Sequence, residues 1–441
     1  MEDNYNNLEN KIIDEDLRIS NTKKINKWFI IIPAIIIIII VIIVLLIIIL
    51  KKDEKQEEGN KGGEKKEEKC EEGIEDKCLR CENNECKECN TRYNLINGRC
   101  LANFSFSAVY ESVTNNENLF LIDKSFIDYI IEIEIDDKKI IPSDNYTFES
   151  PGSHIVYYLM NTTNLASLNK MFENIEKLIS VYFSNSFDTK NIVTIESMFY
   201  KCKKLISVDI SNFNMEKITS MNYIFYYCLS LNSIMFPKTT ASSLEKANSM
   251  FFECGSLTSI DLNIFNSKTL TQFHSNFLGC ISLKSIDLSI LNIENVVDMS
   301  DLFRECSGLM SINFSNLKSK KLENMNDMLS GCKSLTSIDF TNFNTENVNS
   351  MERLFARCSS LTSIDLSSFN SQNVTTMSYM FYDCLNITYV DISHFTNSSL
   401  VKSYSFFNNI PESGTLKANK DFIYNINDSI PKNWTILLTE N

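Results

Sequence analysis

Residues 335–358 read LTSIDFTNFNTENVNSMERLFARC, and residues 361–384 repeat the pattern as LTSIDLSSFNSQNVTTMSYMFYDC. Both stretches have the form L-x-x-I-D-x-x-x-F-N-x-x-x-V-x-x-M-x-x-x-F-x-x-C. The final cysteines belong to a series of eight that recurs every 26 residues: Cys202, Cys228, Cys254, Cys280, Cys306, Cys332, Cys358 and Cys384. A fixed period of this length is typical of a solenoid, in which each unit packs only on its neighbours.

Each unit changes its hydrophobic period halfway along. The first part alternates, which predicts a strand with Ile338 and Phe340 on one face and Asp339 on the other. The second part steps by three or four residues, for example from Val348 to Met351, which fits a helical or tightly turning side. We therefore predict an α/β solenoid of about nine units over residues 171–410, whose stacked apolar edges form one core.

The strings M-F-x-x-C-x-x-L-x-x-I-D-L-S-x-F-N, of which Met380–Cys384 is one beginning, resemble the BspA-like leucine-rich-repeat surface proteins of bacteria and parasitic protists. This resemblance implies a leucine-rich-repeat array on a cell surface, and for some members adhesion to host matrix or cells. The unit from Leu231 departs from the pattern because Met235 and Pro237 replace Asp and Ser. We expect that rung to be distorted.

Residues 28–50 (WFIIIPAIIIIIIVIIVLLIIIL) are 23 residues without a charge. A helix of that length crosses the ~30 Å hydrocarbon core of a bilayer. Lys51 and Lys52 follow directly where a cleaved signal peptide would have small residues, so we predict an uncleaved transmembrane helix. Residues 1–27 would then be a tail, and the Lys- and Glu-rich residues 51–69 a solvated stalk.

The basic residues flanking the predicted helix number four before it and five after it, which leaves the orientation open. The dense cysteines and the N-x-[ST] sequons favour an extracellular bulk, a cytoplasmic N-terminus and a plasma-membrane location. The glycosylation candidates are Asn103, Asn145, Asn161, Asn313, Asn373, Asn386, Asn397, Asn427 and Asn433.

Residues 70–100 form a cysteine-rich module with the spacing C-x7-C-x2-C-x4-C-x2-C-x10-C. Its two C-x2-C pairs could hold zinc, but three disulfides suit a chain with a membrane anchor just upstream, and 15 connectivities are possible. The ending Y-x-L-x-x-G-x-C resembles the cysteine-rich, growth-factor-receptor-like modules of extracellular proteins. The disulfide candidates are Cys70, Cys78, Cys81, Cys86, Cys89 and Cys100.

Two further regions flank the repeats. Residues 101–170 alternate with period two, as in Ile131–Ile135, which predicts a small β-rich domain that caps the first repeat. Residues 411–441, with Trp434 and Ile436, are expected to fold over the last open edge, since a solenoid needs atypical end units.

The periodic cysteines allow two interpretations. Disulfides between rungs would need Cα atoms about 4.4–6.8 Å apart. Each cysteine also lies in an apolar row with Phe and Leu, and free cysteine packs as a small hydrophobic residue. We predict buried free thiols.

The outward strand positions form a polar column with a repeated acid. It could bind a basic partner or cations, or it could be a solvated face that bonds neighbouring Ser and Thr. As candidate ligand-binding residues we name Asp209, Asp261, Asp287, Asn313, Asp339, Asp365 and Asp391.

Composition and motifs argue against several functions. The chain has 42 Lys and Arg against 56 Asp and Glu, a net charge of −14, which disfavours nucleic acid as a partner. The histidines His154, His274 and His394 form no column, and no catalytic motif, cofactor motif or metal-binding pattern stands out in the repeats. We expect a non-enzymatic surface protein that binds protein or glycan ligands in adhesion. A signalling receptor with a cytoplasmic partner and a non-binding coat protein are the alternatives.

Overall fold

The computed structural model describes residues 104–439 except 137, 316, 318, 397, 398 and 401, together with four strands between residues 78 and 102. The predicted tail, transmembrane helix and stalk lie outside the described residues. Within the part of the chain that is described, no helix has the length and hydrophobicity needed to cross a bilayer.

The cysteine-rich region contains two antiparallel strand pairs. Their bounds are β1 Cys78–Glu82 with β2 Glu85–Cys89, and β3 Tyr93–Ile96 with β4 Arg99–Ala102. Cys70 and the side chains of the other five candidate disulfide cysteines lie outside the described residues.

A β-rich region precedes the repeats. Strand β5 lies between β10 and the first repeat strand and pairs antiparallel with both, so this region and the solenoid share one sheet. The elements are β5 Phe106–Ser112, β6 Glu117–Phe120, a 3-10 helix Lys124–Tyr129, β7 Ile130–Ile135, β8 Lys138–Ile140, β9 Asn145–Phe148 and β10 Gly152–Met160. The buried hydroxyls of Tyr110 and Tyr158 hydrogen-bond at 2.9 Å inside this region.

The repeats form a parallel β-solenoid with 26 residues between equivalent strand positions. A second row of nine parallel bridges, from Ser167 to Lys402, joins successive rungs. The strands are β11 Leu178–Phe183, β12 Ser207–Asp209, β13 Ser233–Met235, β14 Ser285–Asp287, β15 Ser311–Asn313, β16 Ser337–Asp339, β17 Ser363–Asp365, β18 Tyr389–Ile392, β19 Ser413–Asn419 and β20 Asn433–Thr439. Short 3-10 helices lie at Asn263–Phe265, Ile423–Asn425 and Asn427–Ser429.

The side opposite the strands is built from turns, and the helical half of the α/β prediction is wrong. Arg353 and Arg357 have φ of 53° and 60°, and equivalent pairs with positive φ recur along the repeats. Such residues cannot continue a right-handed helix. Their amides bond the next rung instead: Arg353 N donates to Ser378 O at 3.0 Å, and Arg357 N donates to Tyr382 O at 2.6 Å. The tightly turning alternative is therefore confirmed.

The core contains two continuous columns of side chains. One is aromatic except at Leu329, and the rings of Phe251, Phe277 and Phe303 stack with centroids 5.5 and 5.3 Å apart. The other is the cysteine column, whose eight members are all buried free thiols. This confirms the buried-thiol prediction and excludes disulfides between these rungs in the structure.

At the C-terminal end, β19 and β20 extend the stack as parallel strands. The ring of Trp434 packs against Phe407 with centroids 5.4 Å apart, and its Nε1 donates to Pro411 O at 2.8 Å.

Candidate functional site

The strand face consists of the outward side chains of β12 to β18 and the corresponding residues 259–261. Its acidic column makes a recurrent local bond, in which each Asp or Asn Oδ1 accepts the backbone N–H two residues further on. In β16, Thr341 N donates to Asp339 Oδ1 at 2.9 Å. The same bond, at 2.9–3.0 Å, is made by Asp209, Asp261, Asp287, Asn313, Asp365 and Asp391. These are Asx turns, which end each strand.

The turn explains why an acid or amide recurs at this position. The bonds from Thr341 hold the pKa of Asp339 below its usual value. A second signal in the sequence could have revealed the turn, because Asp-x-Ser, Asp-x-Thr and Asp-x-Asn follow the strand in rung after rung. The fold therefore needs an Asp or Asn at this position, but the turn bond alone does not require the negative charge, since Asn313 makes the same bond.

Asp391 differs from the rest of the column because it is buried. Burial raises its pKa, but the hydrogen bonds from Ser393 and Lys417 outweigh that effect, and the net pKa is lowered. Lys417 Nζ lies 2.9 Å from Asp391 Oδ2, and the Tyr389 hydroxyl lies 3.4 Å from the same oxygen. The carboxylate oxygens of Asp391 are thus already hydrogen-bonded by neighbouring groups. The carboxylates of four other members of the column are exposed: Asp261, Asp287, Asp339 and Asp365.

The rung from Leu231 keeps its strand, because β13 pairs with β12 in the regular register, and the distortion predicted for this rung is limited to the turn that follows the strand. Met235 offers no oxygen to accept the turn bond, and Pro237 has no N–H to donate it, so both partners of the Asx turn are replaced together. The strand ladder that reaches Met235 stops there, and the corresponding residues 259–261 of the next rung form no strand. The ladder resumes at β14.

A shallow groove lies where the ladder is interrupted. Its volume is about 430 Å³, and Ile290 stands exposed beside it. We call it the strand-face groove, and its polar lining consists of Ser259, Asp261, Ser285, Asp287, Ser311 and Asn313. A second depression of about 450 Å³ lies between the segments that follow β12 and β13, and its lining includes Ser211 and Pro237. The structure thus brings three members of the predicted column, Asp261, Asp287 and Asn313, into one concave surface.

The periodic cysteines are in an environment that disfavours thiol reactivity. Burial raises the pKa of each thiol, to about 12 for Cys384, so the reactive thiolate is disfavoured. Each Sγ donates to a carbonyl of the preceding rung at 2.9–3.2 Å, as Cys306 does to Phe277 O. These side chains serve packing.

The histidines remain apart. His154 Nε2 lies 2.9 Å from Ser112 Oγ, with its ring stacked on Phe148. His274 contacts Ser275 on the turn side, and His394 contacts the carbonyl of Ser367. Among the described residues, no group of three or more His, Cys, Asp or Glu is placed to hold a metal ion.

Two glycosylation candidates use their side-chain amides to join rungs. Asn373 Nδ2 donates to Glu346 O at 2.8 Å, and Asn386 Nδ2 to Ser359 O at 2.7 Å. Asn145 Nδ2 donates to Asp144 at 2.7 Å. Asn161, Asn427 and Asn433 are exposed, Asn313 lies on the strand face, and Asn103 and Asn397 lie outside the described residues.

A family described as "Mycoplasma protein of unknown function, DUF285" matches three overlapping stretches of the chain, residues 155–259, 235–339 and 309–418. No curated protein matches.

Among solved structures, the chain is similar to the T. pallidum leucine rich repeat protein, with 21% identity over 42% of this chain and 78% of that one, at a TM-score of 0.31. It is similar to a leucine rich cell surface protein from Faecalibacterium prausnitzii A2-165, with 14% identity over 59% and 84%, at a TM-score of 0.25. A leucine-rich repeat protein from Eubacterium ventriosum shares 14% identity over 53% and 90%, at a TM-score of 0.26.

Proposed function

The chain belongs to the DUF285 family of Mycoplasma proteins of unknown function, and we propose that it is a surface protein whose solenoid binds a protein or glycan ligand through the strand face. The observation that carries this proposal is the strand-face groove. It combines exposed carboxylates, a row of serine hydroxyls and an exposed aliphatic side chain, Ile290, in one concavity. Concave surfaces with a few convergent polar groups are the usual place for ligands.

The carboxylates can serve both the turn and a ligand. In the Asx turns of Asp261 and Asp287, Oδ1 of the carboxylate accepts the backbone N–H two residues further on. A carboxylate has two oxygens with about four acceptor positions, so Oδ2 of these exposed residues can accept further hydrogen bonds. Suitable ligands therefore present donors: sugar hydroxyls, amides or basic side chains. Adhesion to host cells or matrix, as the resemblance to BspA-like proteins implies, is the form of binding that we propose.

An Asp-to-Asn series separates the turn from the charge. Asn keeps the Oδ1 acceptor, and Asn313 already fills one position of the column. We expect the triple variant of Asp261, Asp287 and Asp339 to Asn, which removes both carboxylates of the groove and the next one along the column, to keep its stability but to bind at least tenfold more weakly. The assay measures binding of the purified full-length protein to host cells, matrix proteins and a glycan array.

The matched control removes three exposed carboxylates from other surfaces, by substituting Gln for Glu245, Glu346 and Glu412. It has the same net charge as the Asn variant. Equal weakening by both variants would mean that only overall charge matters and would reject the strand face as the site. If the parent protein binds none of the probes, the coat-protein alternative is favoured.

We also propose the location: residues 28–50 as a single-pass anchor, with the N-terminus cytoplasmic and the repeats outside. The uncharged 23-residue stretch and the cysteine-rich module support this arrangement. Protease added to intact cells should remove the repeats and leave an N-terminal tag protected. Protection of the repeats would overturn the orientation. Mass measurement of residues 70–100 without reductant tests the three proposed disulfides, and mass measurement of the sequon peptides tests glycosylation.

A further inference from the structure

The strand-face groove carries negative charge without a base to compensate it. Its two carboxylates, those of Asp261 and Asp287, come from successive rungs and are both exposed. Among the described residues that line the groove there is no Lys or Arg. A neutral ligand that covered these carboxylates would remove two unpaired charges from water, which is unfavourable. The groove therefore favours a ligand that brings a positive charge.

A rung near the C-terminal end of the array shows how a cation binds to a member of the same column. Asp391 Oδ1 accepts the Ser393 N–H at 3.0 Å, while Asp391 Oδ2 lies 2.9 Å from Lys417 Nζ. Lys417 is in register with Asp391 on the neighbouring strand, so both side chains lie on one face of the sheet. One carboxylate can thus hold the turn and an ammonium together. Asp261 and Asp287 make the same turn bond through Oδ1, which leaves Oδ2 for a ligand.

The groove has room for an ammonium at both carboxylates. In the rung of Asp391, the position two residues earlier holds Tyr389, whose hydroxyl lies 3.4 Å from Asp391 Oδ2. The equivalent residues in the groove are Ser259 and Ser285, and both are exposed. Their small side chains leave the carboxylates open, and their hydroxyls can accept hydrogen bonds. An ammonium has three N–H donors, so two carboxylates and one serine hydroxyl satisfy it.

Ile290 gives the groove an apolar contact surface beside the carboxylates. Its side chain lines the groove and is 41% exposed. The corresponding residues of later rungs are polar: Asn342, Ser368 and His394. A lysine side chain packs its aliphatic stem along apolar surface while its ammonium reaches a charged or polar group. Carboxylates next to an exposed Ile therefore match both parts of a lysine.

We propose that the strand-face groove binds a lysine side chain of a protein partner, with the ammonium at Asp261 and Asp287 and the stem on Ile290. This inference rests on the proposed function, because it names the ligand class of the same surface. Oδ2 of each Asp accepts the ammonium, as Asp391 Oδ2 does that of Lys417. The ligand is thus recognised by charge and by apolar contact together.

Fluorescence polarisation of the full-length protein with a labelled Gly-Ser peptide that contains lysines tests this assignment. The control peptide has the same sequence with acetylated lysines, which keep the stem and lose the charge. We expect the lysine peptide to bind at least tenfold more tightly than the acetylated one. Asp261→Asn combined with Asp287→Asn should weaken binding of the lysine peptide at least tenfold. Equal binding of the two peptides would overturn the proposal.

The matched control variant combines Asp339→Asn with Asp365→Asn. It also removes two exposed carboxylates from successive rungs of the column, but both lie outside the groove. We expect it to weaken binding less than twofold. Ile290→Ser should weaken binding at least threefold, which general attraction to an acidic protein does not predict. Equal weakening by the two double variants, or no effect of Ile290→Ser, would show that the groove does not bind lysine.

Failure of this inference can be distinguished from failure of the proposed function. If the strand-face Asn variants lose binding to cells, matrix or glycans while binding of the lysine peptide is independent of the groove, the strand face binds another ligand and the lysine assignment is wrong. If the lysine peptide binds through the groove but the protein binds none of the cell, matrix and glycan probes, adhesion is wrong and the lysine assignment is supported.

Discussion

Phe303→Ala tests the aromatic column on which the rungs stack. The Phe303 ring is fully buried, lies 5.3 Å from Phe277 and makes an edge contact with Phe314 at 6.4 Å. A buried aromatic side chain removes about 150–250 Å² from water, roughly 4–6 kcal/mol at 25 cal/mol per Å². Measured Phe-to-Ala changes in cores cost about 3–5 kcal/mol. We therefore expect a loss of about 4 kcal/mol from the free energy of unfolding.

Phe303→Leu is the matched control, because Leu329 fills the same position one rung later and is also fully buried. We expect this variant to lose about 1–1.5 kcal/mol, since most of the buried volume remains. Urea unfolding followed by circular dichroism measures both changes. Because each rung packs only on its neighbours, the Ala variant should also broaden or split the transition. A loss below about 2 kcal/mol for Phe303→Ala, or equal losses for both variants, would show that the buried ring of Phe303 does not stabilise the stack of rungs.

Two further predictions concern single contacts. A Cβ at Gly331 would lie 2.6 Å from Glu305 Cδ, so Gly331→Ala should lower the midpoint of urea unfolding. Adding Glu305→Ala to that variant should restore part of the loss. Additive losses from the two substitutions would show that the two residues do not interact. Because the folded pKa of Asp391 is lowered, its stabilisation is present above its unfolded pKa and is lost as pH falls through the folded value. Asp391→Asn should therefore have a flatter stability profile than the wild type below about pH 4, and parallel profiles would contradict this.

The strand half of each rung could be predicted from the sequence because alternation maps directly onto two faces. Ile338 packs against the core while Asp339 is exposed, as the pattern indicates. The turning half was ambiguous because apolar residues three or four apart fit both a helix and a tight turn. Positive φ at Arg353 and Arg357 decides it, and neither residue type signals that conformation.

The candidate site was only partly predictable. The acidic column could be predicted because Asp or Asn recurs at the same place in the 26-residue repeat. Its turn bonds could have been predicted from the Ser, Thr or Asn that lies two residues further on. The strand-face groove could not be found in this way. Residues 257–262 read LTSIDL, close to the repeat pattern, and yet they form no strand. The unusual residues are Met235 and Pro237 in the rung before, so the effect depends on stacking between rungs.

Per-residue alkylation of the eight periodic cysteines tests most directly whether the 26-residue period builds a closed core that contains free thiols. The full-length protein is treated with iodoacetamide, first folded and then in denaturant without reductant, and the peptides are measured by mass spectrometry. We expect Cys202 to Cys384 to be protected when folded, and all eight to be labelled when unfolded. Labelling of any of these eight cysteines in the folded protein, or disulfide-linked repeat peptides after unfolding, would show that the repeats do not form a closed core of free thiols.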